Sequence, residues 1–139
     1  MERDFAFHPG IERDGAMSNA DHFTITDALI HRYSRRGNFH TDADHAAELG
    51  LPGLVAQGTQ ASGRAFGKLL EHWGEALLER GRLDLKFVGM VVGGDEIATS
   101  VAFKDADEAC VATITVDNVT RSATAVVGTA SIQQTNRPE

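Results

Sequence analysis

The chain has a single cysteine, Cys110, among its 139 residues. One cysteine excludes an intrachain disulfide and a Cys-based zinc site. A reducing compartment, the cytoplasm, is therefore the expected location. Basic residues are also scarce. Thirteen Lys and Arg stand against 20 Asp and Glu, for a net charge of −7. Nucleic-acid binding needs a basic footprint and is not expected. No window approaches the roughly 18 apolar residues of a membrane helix, so no membrane association is expected either. The opening Met1-Glu2-Arg3-Asp4 has no basic and apolar leader pattern, and no signal peptide is expected. Internal repeats, low-complexity tracts and linkers are absent, as are a phosphate-binding glycine loop and a nucleophile elbow.

What remains is 42% hydrophobic and 24% charged, the composition of a folded chain. Its length suits one domain with one core. Residues 1–22 are polar and irregular, with turn signals at Pro9-Gly10 and Asp14-Gly15, and read as an N-terminal extension to a domain spanning 23–139. The first half of that domain is predicted helical. Thr26 can cap a helix running to Tyr33. Thr41-Asp42-Ala43-Asp44 resembles a capping box for a second helix, closed by Gly50 and Pro52. A longer helix is predicted from Gln57 to His72 or beyond, with Ala65, Leu69, Leu70 and Trp73 on one stripe. Its small residues Gly58, Ser62, Gly63 and Gly67 suggest close approach by another backbone or a ligand. The second half reads as strands: Leu83–Phe87, Ile97–Phe103, Cys110–Val116 and Ala123–Ile132. Turns are expected at Gly93-Gly94-Asp95, Asp105–Glu108 and Asp117-Asn118. Helices followed by antiparallel strands indicate the α+β class.

The densest polar stretch is 34–42, a loop between two helices. His40 stands just before a helix N-terminus, whose positive end favours the neutral, basic form of the ring. The alternative is an ordinary solvated loop histidine. Asp42 and Asp44 read either as a paired acid and base or as first-turn acids. Arg35 and Arg36 suit an anion, or are a surface pair. In Val55-Ala56-Gln57-Gly58-Thr59, a glycine at a helix start can aim backbone N–H groups at a developing oxyanion, or can be a packing glycine. His31, His40 and His45 match no zinc spacing, and Cys110 suits a core position.

Three blocks, in order, resemble the MaoC-like (R)-specific enoyl-CoA hydratase and dehydratase family of the hotdog fold. They are His40-Thr41-Asp42 with Ala46-Ala47, then Gly53 to Thr59, then Leu85 to Asp95. The similarity runs from about Phe23 to Ile132. It implies a long central helix wrapped by a curved antiparallel sheet, and an acyl thioester bound near a dimer interface. In the family an Asp and a His five residues later hold a water, and a backbone N–H polarises the thioester carbonyl. Here His40 matches the histidine and Gly58 the N–H donor. Arg35 stands at the Asp position, and an arginine cannot act as base. Gly37 and Asn38 occupy the family's Asn and Pro positions, Gln57 its His before the glycine, and Met90 its third-block proline.

The resemblance thus implies a lyase with His40, Asp42 and Gly58 as catalytic residues and Arg35, Asn38, Gln57 and Thr59 around the substrate. Asp42, or a carboxylate from elsewhere, would orient His40. The expected substrate is an acyl group on CoA, a carrier protein or another activating group. No metal or redox cofactor is implied. A homodimer is expected, with a larger oligomer or a heteromer as variants. The alternative function is a non-catalytic subunit or acyl-thioester-binding partner within a heteromeric hydratase.

Overall fold

The computed structural model describes residues 20–34, 40–105 and 109–133. Its elements are β1 (Asp21–Ile25), α1 (Asp27–Tyr33), α2 (Ala43–Glu48), α3 (Gly58–Ala61), α4 (Gly63–Trp73), α5 (Glu75–Arg80), β2 (Gly81–Phe87), β3 (Asp95–Asp105), β4 (Ala109–Asn118) and β5 (Ala123–Gln133). The strands form one sheet in the order β1-β3-β4-β5-β2, with every neighbouring pair antiparallel. The class is α+β, as the order of helices and strands predicts.

The short helices follow from local chemistry. Thr26 accepts the Leu29 N–H and starts α1. In α2 the cap falls one residue later than predicted. Asp42, not Thr41, is the N-cap, because its carboxylate accepts from both Asp44 N and His45 N at 3.0 and 3.2 Å. A charged acceptor serving two donors outcompetes a hydroxyl serving one. Gly50, at φ +79°, ends the helix. Its N–H bonds Ala47 O and the Leu51 N–H bonds Ala46 O, the paired bonds of a Schellman turn.

The long helix is interrupted. Ser62, at φ −95° and ψ 4°, separates α3 from α4, and Gly74, at φ +62°, separates α4 from α5. Ser62 Oγ donates to Thr59 O at 3.2 Å, a side-chain bond that competes with the helical ladder. Ala65 and Leu69 of α4 are buried against the sheet beside Ala112, Ile114 and Ala130, with Leu70 and Trp73 half-buried on the same stripe. Burial of Leu69 alone contributes about 1.5–3 kcal/mol. A second cluster joins Ile25, Ile30, Ala61, Ile97, Val116 and Val126. Of the three glycines in this helical stretch, only Gly58 is closely approached, and by the Phe87 side chain rather than by a backbone. A Cβ there would lie 2.6 Å from the Phe87 ring, whereas one at Gly63 or Gly67 would meet nothing within 4 Å.

Two strand features depart from the sequence reading. β1 begins at Asp21, inside the segment read as an extension, and is too short and polar to give a periodic signal. Asp117-Asn118 is not a turn. Both residues are buried at the end of β4, and the chain reverses over 119–122, with Ser122 at φ +53°. Their polar groups are taken up inside: Asp117 Oδ1 accepts from Thr124 Oγ1, and Asn118 Nδ2 donates to Asp95 Oδ2. The turn expected at Asp105–Glu108 falls between β3 and β4, and its residues 106–108 lie outside the described residues.

Candidate active site

The site grows from the chain between α2 and α3. Val55 forms an isolated bridge with Val92, Ala56 N donates to Val91 O, and Gly93 N donates to Leu54 O. Residues 54–56 are thereby fixed and lead straight into α3. Its N-cap, Gln57, makes no side-chain cap bond. Within the helix, Gln60 N and Ala61 N both donate to Gln57 O at 3.0 Å. The N–H groups of Gly58 and Thr59 precede those bonds in the first turn, which has no intrahelical acceptor for them; Gly58 is half-buried and Thr59 exposed.

His40 is joined to this segment. Its Nδ1 lies 2.5 Å from Val55 O. A carbonyl oxygen only accepts, so Nδ1 carries the hydrogen. In the neutral ring Nε2 therefore bears the lone pair. This is where the orienting role differs from expectation. Val55 O, not the Asp42 carboxylate, orients His40, because Asp42 Oδ1 is occupied as the α2 cap. The ring is half-buried and anchored three residues before Gly58.

Other side chains tie the start of α3 to the end of α1. Gln57 Nε2 donates to Ser34 Oγ at 2.8 Å. Tyr33 OH donates to Thr59 Oγ1 at 2.9 Å, and Gln60 Nε2 donates to Leu29 O at 2.9 Å. Arg35 and Asn38 lie outside the described residues, but both ends of their segment are held at this place, Ser34 by Gln57 and His40 by Val55 O. Of the predicted residues, the fold thus brings His40, Gln57, Gly58 and Thr59 together and sets Asp42 on the neighbouring helix. Tyr33 and Ser34 were not singled out by sequence reasoning. The signal available was weak: a lone tyrosine and the first residue of the polar stretch.

Beside Thr59 opens an apolar cavity of about 160 Å³, lined by Ser62, Phe66, Leu69, Leu83 and Leu85 among others. It runs between α3–α4 and the inner face of the sheet. Its walls suit hydrocarbon, and among the described residues Thr59 and Ser62 are the only hydroxyl-bearing side chains in the lining. Among the described residues no three His, Cys, Asp or Glu come together to hold a metal ion.

The turn at 91–95 that supports Val55 has its own anchor. Asp95 Oδ2 accepts from Val92 N at 2.9 Å, Asn118 Nδ2 at 2.8 Å and Arg121 Nε at 2.7 Å. Burial pushes this carboxyl up, but the bonds from Asn118, Val92 and Arg121 outweigh it and hold Asp95 below the usual carboxylate value. Support thus passes from Asp95 through Val92 and Val55 to His40. At the far end of α4, His72 and Trp73 bond the Asp105 carboxylate, and the His72 bond in particular holds Asp105 below its usual value.

Comparison with known proteins gives this geometry a context. The profile of a family described as "MaoC like domain" matches residues 13–126. No curated protein matches the chain by sequence. Among solved structures, an (R)-hydratase from A. caviae involved in PHA biosynthesis superposes with a TM-score of 0.67 at 17% identity, covering 82% of this chain and 91% of that one. A chain of the ChsH1–ChsH2 complex from Mycobacterium tuberculosis superposes at 0.68 with 12% identity, over 82% and 91%. The HadBC complex of the same organism, a (3R)-hydroxyacyl-ACP dehydratase, gives 0.61 at 16% identity, over 81% and 90%. The shared architecture is the hotdog fold.

Proposed function

The chain belongs to the MaoC-like dehydratase family, and from that premise we propose that it is a lyase acting on an acyl thioester, with His40 as its acid/base. The reaction is dehydration, hydration, or a related elimination or isomerisation. The observation that carries this reading is the His40 Nδ1–Val55 O bond, which anchors the ring to the chain three residues before Gly58 and, in the neutral ring, leaves the lone pair on Nε2.

The division of labour follows from that geometry. The acyl chain enters the apolar cavity beside Thr59. The thioester oxygen lies at the Gly58 N–H, where charge develops as the enolate forms. His40 Nε2 takes the α-proton, and the C–H electron pair becomes the enolate. As the enolate collapses, the double bond forms and the β-hydroxyl leaves. The imidazolium returns the proton to it, releasing water. Gln57 and Thr59 keep the start of α3 in place through Ser34 and Tyr33, and Thr59 also faces the substrate. Arg35 and Asn38 contact the activating group or an anionic part of the substrate. Asp42 acts at a distance, by capping the helix that follows His40. We place the protein in the cytoplasm and its working form as a homodimer. Among the described residues no helix is long and apolar enough to cross a membrane.

A second reading is favoured by one residue. Arg35 occupies the position of the family's water-activating Asp, and a guanidinium cannot take a proton from water. On that reading the chain is the supporting subunit of a heteromeric hydratase. Hydration of a short trans-2-enoyl-CoA, followed by loss of its conjugated absorbance, separates the two. Wild type is expected to turn over and His40→Ala to lose about 10²–10⁴-fold. Full activity of His40→Ala would remove the acid/base assignment. Silence of wild type with activity gained in Arg35→Asp would favour altered chemistry in an intact pocket. Silence of both would favour the supporting subunit.

A further inference from the structure

Two hydroxyls stand in the otherwise apolar wall of the cavity beside α3. Among the described residues Thr59 and Ser62 supply its only polar side chains, and the others, Phe66, Leu69, Leu85 and Ile114 among them, are hydrocarbon. Leu69 and Ile114 are fully buried and make the floor, while Phe66 and Leu83 are exposed and frame the mouth with Thr59. Ser62, one helical turn on from Thr59, is buried. Each hydroxyl has only part of its bonding capacity committed. Tyr33 OH donates to Thr59 Oγ1 at 2.9 Å, the phenol being the more acidic of the two. Thr59 therefore keeps its own hydrogen. A helical threonine commonly gives that hydrogen to the carbonyl four residues back. Here that carbonyl, Val55 O, accepts from His40 Nδ1 instead, and the Thr59 hydroxyl has no acceptor among the described residues.

Ser62 is the reverse. Its hydrogen goes to Thr59 O at 3.2 Å, so its lone pairs remain. One wall of the cavity thus offers a donor and, three residues on, an acceptor. Side chains at that spacing on a helix start about 5–6 Å apart. Two hydroxyl hydrogen bonds of about 2.7–2.8 Å span that gap through a single oxygen. One chemical group satisfies both sides. A ligand hydroxyl accepts from Thr59 and donates to Ser62. A carbonyl or ether oxygen satisfies Thr59 alone, an ammonium Ser62 alone, and hydrocarbon neither. Size sets the rest of the ligand. A cavity of about 150 Å³ lined by Leu, Ile and Phe takes benzene, and this one measures about 160 Å³.

We infer that the cavity binds an alcohol, with a body of about six carbons against Leu69 and Ile114 and its hydroxyl held between Thr59 Oγ1 and Ser62 Oγ. In the lyase reading the β-hydroxyl that leaves belongs at His40, so the oxygen held here is a second one. The acyl group is then hydroxylated beyond its β-carbon, a step that rests on the lyase reading. The alcohol site itself rests only on the cavity and its two hydroxyls.

Benzene and phenol differ by one hydroxyl and test the site without any thioester. Their binding to the full chain is followed by NMR through the methyl resonances of Leu69, Leu85 and Ile114. A hydroxyl buried without partners should weaken phenol about 10-fold or more relative to benzene. Wild type is expected to bind phenol at least as tightly as benzene. Thr59→Val and Ser62→Ala each remove one partner and should weaken phenol about 3–10-fold while benzene binding is retained. Thr59→Ser keeps a hydroxyl and should keep the phenol affinity. Phenol tenfold weaker than benzene in wild type overturns the inference, and so does binding of neither probe. Phenol affinity indifferent to both Thr59→Val and Ser62→Ala overturns it as well. Hexanoyl-CoA and 5-hydroxyhexanoyl-CoA, which have no leaving group at the β-carbon, carry the test to the acyl group. The hydroxylated thioester should bind about 3–10-fold more tightly, and a preference for the plain one would overturn the acyl step. Failure of both thioesters where phenol binds would count against the lyase reading and leave the alcohol site standing.

Discussion

Replacing Asp95 tests the support beneath the site. Its carboxylate is buried and accepts three hydrogen bonds. Asp95→Ala would leave the Val92 N–H and one of the two Asn118 Nδ2 hydrogens without an acceptor, the other still reaching Met90 O. Each unsatisfied buried donor costs about 1–3 kcal/mol. Arg121 adds less, because its side chain is 38% exposed and the pair is screened by solvent. The total is about 2–5 kcal/mol, or a fall in Tm of roughly 5–20 °C for a chain of this size. Asp95→Asn keeps one acceptor and should lose less.

The pH dependence has a definite sign. The folded-state pKa of Asp95 lies below its unfolded value of about 3.9. Its contribution is therefore fully present above the unfolded pKa. It is lost as pH falls through the folded pKa. Urea unfolding of wild type and Asp95→Asn should show a gap that is constant from pH 7 to about pH 5 and narrows below pH 4. A loss under 1 kcal/mol in Asp95→Ala, or a gap that widens in acid, would refute the reasoning.

Two further substitutions check local statements. Gly58→Ala should cost about 1–3 kcal/mol, since the new methyl displaces the Phe87 ring, whereas Gly67→Ala, in open space within α4, should stabilise by about 0.5–1 kcal/mol. Paired thermal melts read the order, and the reverse order would contradict the packing at Gly58. Asp42→Ala should cost about 1 kcal/mol and Asp42→Ser much less, because serine also caps. If Asp42 acts through the cap, Asp42→Ser retains the turnover of wild type in the enoyl-CoA assay. Equal loss in both variants would assign the carboxylate a direct role.

Several of these features are legible in the sequence because their causes are local. Thr26 bonds a backbone N–H three residues on, and Gly50 is a single left-handed residue, so α1 and the end of α2 can be read within a turn of chain. The alternation in Leu83–Phe87 likewise belongs to one strand. The remainder depends on contacts between distant positions. Asp117-Asn118 has the composition of a turn, and only the fold supplies Thr124 and Asp95 as partners. The break at Ser62 rests on one hydroxyl choosing a backbone carbonyl over solvent. At the candidate site, His40 and Gly58 can be singled out by residue type, but the oxygen that His40 bonds is the main-chain carbonyl of Val55, and no side-chain pattern can announce it.

The way residues 35–39 are attached bears on how such a site can diverge. The segment leaves from Ser34 and returns at His40, and both points are fastened to the same short stretch, Val55 to Gln57. Its ends are therefore held by bonds that do not involve the segment itself. Extending a loop between fixed ends costs little, about 0.6 kcal/mol for each doubling of length. Substitutions and small insertions there can change the side chains the segment carries while His40, the helix start and the sheet stay as they are. Arg35 falls within that exchangeable span, so on the reading proposed above a single substitution there exchanges one reaction for another without a new fold.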